Sequence, residues 1–249
     1  MSEEQTSGVD YKHKALQSGT GSAFSAYRRL MYGRTSLWYV LKAELIALLV
    51  SWLPGALGLL LRKWLYPTLF KRVGRNVVFG RNVTLRHAHK IVLGDGVVVD
   101  DHAVLDAKGE SNEGIVVEDG VYVGRNTIIY CKNGNIRLGR SVNISSNCQL
   151  FSSNELTVGS GTVIAAYVYL LSGGQYDYSS RIPFAEQSGM VTRGPTRIGE
   201  NGWIGAGVVV VDGSVVGNHV VVGAGAVVSG EIPADSLALG IPAKVVRAI

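Results

Sequence analysis

Aliphatic residues recur at every sixth position through the last quarter of the chain. Steps of six from Ile198 land on Ile204, Val210, Val216, Val222 and Val228. Gly199, Gly205, Gly217 and Gly223 each follow one of these directly. The same spacing appears upstream in triplets: Val73/Phe79/Leu85, Leu93/Val99/Leu105, Val117/Val123/Ile129, Leu138/Ile144/Leu150 and Val158/Ile164/Leu170. The insertions between triplets all follow a third member. A period of six is neither the 3.6 of a helix nor the 2 of a long strand. It predicts a parallel β-helix of about seven coils, each built from three short strands, with every loop leaving from one corner. Such coils bury apolar residues only against their neighbours, so stability accumulates along the stack.

Composition agrees. Of 249 residues, 32 are Gly, 17% are charged and 47% are hydrophobic. That excludes wholesale disorder, and the absence of a Gly-X-Y period excludes collagen. Glycines fit the turns between faces of the prism. Two cysteines, Cys131 and Cys148, are too few for a disulfide framework and read as reduced thiols. Among the histidines, His87, His89 and His102 are the candidate ligands, and no metal site is expected.

The basic charge is uneven. Residues 1–75 carry 11 Lys/Arg against 4 Asp/Glu, a balance of +7, and the remainder is slightly acidic at −2. Residues 1–35 read as a flexible polar tail without the order of a signal peptide, which places the protein on the cytosolic side. Residues 36–72 read as an apolar, basic helical segment. Within it, residues 45–61 are free of charge but too short to span a bilayer, which needs about 20 apolar residues. Pro54-Gly55 breaks the run at its centre. Two readings stay open: a helix–break–helix unit lying in one leaflet, or a helical pair buried against protein. Trp38, Tyr39, Trp52, Trp64 and Tyr66, flanked by Lys and Arg, favour peripheral or monotopic contact with the inner face of the membrane through residues 38–66. Nucleic acid is not expected, because no binding motif accompanies the basic residues.

Residues 73–249 resemble the hexapeptide-repeat acyltransferases, most closely in TRIGENGWIGAGVVVVDGSVVGNHVVVGAGAVVSGEIPADSLALGIPAKVVR. The resemblance points to the galactoside, maltose and polysaccharide O-acetyltransferase branch. It implies an all-β, left-handed parallel β-helix, a homotrimer and acetyl-CoA or another acyl-CoA as co-substrate. The implied acceptor is a sugar or lipid-linked saccharide in surface-polysaccharide biosynthesis. Handedness rests on the resemblance alone, since parallel crossovers are otherwise almost always right-handed.

The resemblance also implies site residues. The family's catalytic His falls at Gln175, in LLSGGQYDYSS, and an amide does not titrate. Three explanations stay open: a substitution introduced to trap a complex, a homologue that keeps binding without catalysis, or another base such as Asp177. Asn147 matches an Asn that contacts the acceptor or the tetrahedral intermediate, and it also suits a prism corner. Trp203 matches an aromatic lining the acyl-donor groove. Lys244 and Arg247 match cations that reach coenzyme A, and Ala206, Gly223, Ala224 and Gly225 would border its pantetheine arm. Gly230 departs from the Lys of many relatives. Residues 171–197 would close over the acceptor.

Overall fold

The computed structural model describes residues 23–33, 35–187 and 190–249. From Arg72 onward the chain winds into a three-faced prism. The first face holds eight parallel strands, the second eight parallel strands and a final antiparallel one, and the third seven. Seven coils are therefore complete, as the seven triplets require, and two strands begin an eighth. The eighth departs from the spacing of six because the step from Val228 to Ile232 is only four.

Each step of six buries two residues. The aliphatic stripe is fully inside: Leu93, Val99, Leu105, Ile144, Leu150, Ile204 and Val210 are all 0% exposed. Four residues after most of these aliphatics comes a second inward position, occupied by Val97, Ala103, Val121, Thr127, Cys148, Thr162, Val208 and Ser214. Its small and polar members hid it from a search for hydrophobic periodicity. Between the two, three residues after the aliphatic one, the backbone turns the corners on either side of the second face at positive φ. Asn76, Asn82, His102, Asn126, Asn147, Tyr167, Asn201 and His219 do so, alternating with glycines. Asn tolerates this conformation better than most residues. The chain's Asn content and much of its Gly content follow from the corners.

Three helices close the N-terminal end: α1 (Ala23–Tyr32), α2 (Leu37–Val50) and α3 (Gly55–Leu65). The expected flexible tail is thus corrected at α1, which ends in buried Tyr32 and is tied to the prism where His87 N donates to Met31 O. Residues 1–22 lie outside the described residues. Ser36 caps α2, accepting from Tyr39 N. Pro54 stands at the N-cap of α3, so the break falls where Pro54-Gly55 predicts. The segment is buried against protein on one side only. Val40, Ala43, Ile46 and Val50 bury one side of α2, whereas Leu37, Trp38, Leu41, Leu45, Leu48, Leu49, Trp52, Leu57 and Trp64 remain exposed. No helix among the described residues is long and apolar enough to cross a membrane.

Candidate active site

Five strands of the third face lead to the loop that carries Gln175. On its outer side, Tyr130, Phe151 and Leu171 stand in register on consecutive coils. Phe151 faces outward yet is only 5% exposed, because the loop folds back over it and Tyr130 packs beside it at 4.8 Å. The close approach requires Gly173 and Gly174, both at φ +85. A Cβ on Gly174 would lie 2.5 Å from the Phe151 ring, and one on Gly173 would lie 2.1 Å from Ser153 Oγ. The local sequence SGGQ therefore presses the backbone onto the third face and delivers Gln175 immediately beyond it. Gln175 forms a two-way backbone bridge with Val191, its N–H donating to Val191 O at 3.2 Å and its carbonyl accepting from Val191 N at 2.8 Å.

Two residues with no sequence signal of their own fasten this loop. Asp212 is 3% exposed. Its carboxylate accepts from Gly173 N at the loop's start, and from Thr192 Oγ1 at 3.0 Å and Arg193 N at 2.5 Å near its end. Gln187, also buried, accepts from Asp177 N at 3.0 Å and donates to Asp177 O at 2.8 Å and Ile182 O at 3.1 Å. Neither residue belongs to the hexad pattern, and their partners are 5 to 39 residues away. Only the folded chain reveals them.

Asp177 is poorly disposed to accept a proton. Ser179 donates to its Oδ1 through N–H at 2.9 Å and through its hydroxyl at 2.5 Å, and Ser180 N adds a longer contact. These bonds hold the carboxyl below its ordinary range, which makes it a weak base. Asn147 occupies a corner at φ +59, before the strand Gln149–Ser152. Gln175 leaves the opposite edge of the same sheet. A four-residue strand separates the two edges, about 13 Å. Within one chain, Asn147 and Gln175 do not meet.

The residues expected near the acyl donor lie together on the second face and its corner. Trp203 pairs with Val221, Val221 with Leu237, and Leu237 with Arg247. These four form one outward row, with the Trp203 side 58% exposed. Lys244 and Arg247 are three apart in an extended strand and would ordinarily face opposite ways. A register shift at Leu237/Ala238 changes that: Arg247 pairs with Leu237 and Lys244 with Leu239, so both cations share the outer side. Ala206 and Gly223, Ala224 and Gly225 stack at the adjoining corner, where Gly225 N donates to Ala206 O at 2.8 Å. A Cβ on Gly225 would meet nothing within 4 Å, so the corner is open to solvent. An exposed indole, a smooth corner and two cations at one end fit an elongated ligand with a polyphosphate terminus. Gly230 sits at φ +100, a backbone that Lys would adopt only with strain.

His87 is buried at φ +53 under the helical cap, and His89 packs edge-on to Tyr39 at 5.9 Å. His102 turns a corner. Among the described residues no three His, Cys, Asp or Glu side chains are grouped to hold a metal ion. Both cysteines are buried and unpaired.

Residues 195–230 match the profile of the bacterial transferase hexapeptide (six repeats). Galactoside O-acetyltransferase of Escherichia coli is 30% identical over 146 residues, which span 56% of this chain and 70% of that protein. Two solved structures share the fold. The polysialic acid O-acetyltransferase OatWY aligns with a TM-score of 0.54 at 17% identity, covering 71% of this chain and 81% of that one. AntD, an N-acyltransferase from Bacillus cereus in complex with dTDP and 3-hydroxybutyryl-CoA, aligns at 0.50 and 19% identity, covering 72% and 83%.

Proposed function

The chain belongs to the hexapeptide-repeat acyltransferases, and from that premise we propose that it transfers an acyl group, most simply acetyl, from coenzyme A to a hydroxyl or amine of a sugar. The observation that carries this reading is the strip formed by Trp203, the corner at Ala206 and residues 223–225, and the paired cations Lys244 and Arg247. Coenzyme A supplies the activated thioester. Lys244 and Arg247 would hold its phosphates, and the smooth corner would let its arm lie against the backbone. Galactoside O-acetyltransferase, similar over 70% of its length, supports a sugar as acceptor.

Gln175 stands where an acceptor would be held. Its amide can orient a hydroxyl through hydrogen bonds but cannot remove its proton. Asp177 is acidified by Ser179 and Ser180 and substitutes poorly. We therefore expect slow transfer. Asn147 lies across the sheet from Gln175 of its own chain, so a shared site needs Asn147 of a neighbouring copy, in keeping with a homotrimer.

The exposed apolar side of α2 and α3 supports attachment to an anionic membrane surface. Exposed patches of this kind are rare on soluble monomers, and here tryptophans and lysines rim it. An acceptor linked to lipid, at the cytoplasmic face, in surface-polysaccharide assembly, accords with that placement.

Acyl-CoA consumption with a panel of sugar acceptors, measured beside Gln175→His, tests the chemistry. A restored general base should accelerate transfer by about 10²–10⁴-fold. If both proteins are inactive with every acceptor, the second reading takes over: a trimeric binding homologue without catalysis, which Gln175 itself favours. Flotation with anionic vesicles tests the surface, and equal recovery of a Trp38→Ser/Trp52→Ser/Trp64→Ser variant would remove it.

A further inference from the structure

A cavity of about 310 Å³ lies between the helical cap and the first coil of the prism. That is the lower end of the range of small-molecule sites. Its walls come from residues 27–88, so it is separate from the loop at Gln175 and the strip at Trp203. The floor is apolar, made in part by Val83, Leu85 and Leu69. Four tyrosines line it: Tyr27, Tyr32, Tyr39 and Tyr66. Tyr32 meets both Tyr27 and Tyr39 edge-to-face at 6.2 Å.

One carboxylate enters this wall, that of Glu44. It is the only acidic residue between positions 23 and 94, a stretch with 12 Lys and Arg. Tyr32 OH donates to Glu44 Oε1 at 2.7 Å, and Tyr27 OH donates to the same oxygen. Two phenol donors on one oxygen orient the carboxylate. The phenols keep their protons: burial pushes Tyr32 well above its ordinary range, and the bond to Glu44 raises Tyr27.

A carboxylate beside aromatic rings selects by charge. It repels phosphates and carboxylates, which separates this cavity from any site for coenzyme A. Tyrosine faces carry negative electrostatic potential and attract ammonium groups, more strongly when water is excluded. We propose that this cavity binds an organic ammonium bearing a short apolar group, with Glu44 as its counter-charge and the tyrosine rings as its walls. The inference is independent of acyl transfer and stands whether or not Gln175 supports chemistry.

Titration of the full-length protein by calorimetry tests it, with choline and benzyltrimethylammonium as probes. The neutral isostere 3,3-dimethylbutan-1-ol and the anion benzoate serve as comparisons. The ammonium probes should bind, and the alcohol should bind at least about fivefold more weakly. Glu44→Gln keeps an acceptor for both phenols and should weaken the ammonium probes about tenfold. Ala47→Phe, at an exposed position on the cavity wall, should block both probes while leaving α2 folded. It keeps the test decisive if Glu44→Gln loosens the cap. Equal binding of choline and its neutral isostere, stronger binding of benzoate, or unchanged affinity in Ala47→Phe would each overturn the proposal.

Discussion

Arg62 is 2% exposed, and its hydrogen bonds among the described residues go to backbone carbonyls. Its Nε donates to Phe79 O at 3.0 Å, and its Nη1 donates to Val50 O at 3.0 Å and Leu53 O at 2.7 Å. Val50 ends α2, so the guanidinium sits against orphan carbonyls at the negative end of that helix. One side chain from α3 thus joins the end of α2, the turn before Pro54 and the first coil. Arg62→Met preserves the stem and removes the donors. Two carbonyls then lie buried without partners, at about 1–3 kcal/mol each. Relief from burying a charge offsets part of that cost. We expect a net loss of about 3 kcal/mol, roughly a hundredfold in the opening equilibrium of the cap. Later coils contact only their neighbours and should not change. Hydrogen exchange read by mass spectrometry on peptides from residues 37–65 and 196–232 measures both regions in one experiment. Faster exchange in the first set alone is the expected result. Unchanged exchange, or full protection in Arg62→Lys, would refute the role given to the forked donor geometry.

Three further outcomes follow from the same geometry. Asp212→Asn replaces an acceptor of three hydrogen bonds with a group that donates toward them. The loop should loosen by about 2–4 kcal/mol, seen as rapid proteolysis within residues 173–195 while the prism stays intact. Lys244→Ala/Arg247→Ala should raise KM for acyl-CoA about tenfold with little change in kcat, since neither touches a reacting atom; a fall in kcat alone would contradict it. Burial, with His87 and Lys90 nearby, pushes the His89 pKa down to about 4. The unfolded chain takes up this proton near 6.5, so the stabilising contribution is complete above that pH and is lost as pH falls toward 4. Tryptophan fluorescence should show the cap weakening across that window, and His89→Phe should flatten the change.

The hexads alone determined the prism, its seven complete coils and the corner from which its loops leave, because each inward side chain needs only a neighbour one coil away. The corner glycines and asparagines were equally legible once the period was known, since a fixed backbone turn demands fixed residue types. The Pro54-Gly55 break likewise predicted where one helix stops and the next begins. Tertiary structure decided what depends on partners far apart in the chain. Residues 23–32 look like tail in sequence and become a helix because Tyr32 finds the cap. Asp212 and Gln187 read as ordinary surface polar residues until the loop folds over them. Lys244 and Arg247 share a side only through the register shift opposite Leu237. Glu44 became a cavity wall only when Tyr27 and Tyr32 closed on it. Repetition writes local contacts into sequence, whereas a site assembled across coils is specified by geometry that no spacing records.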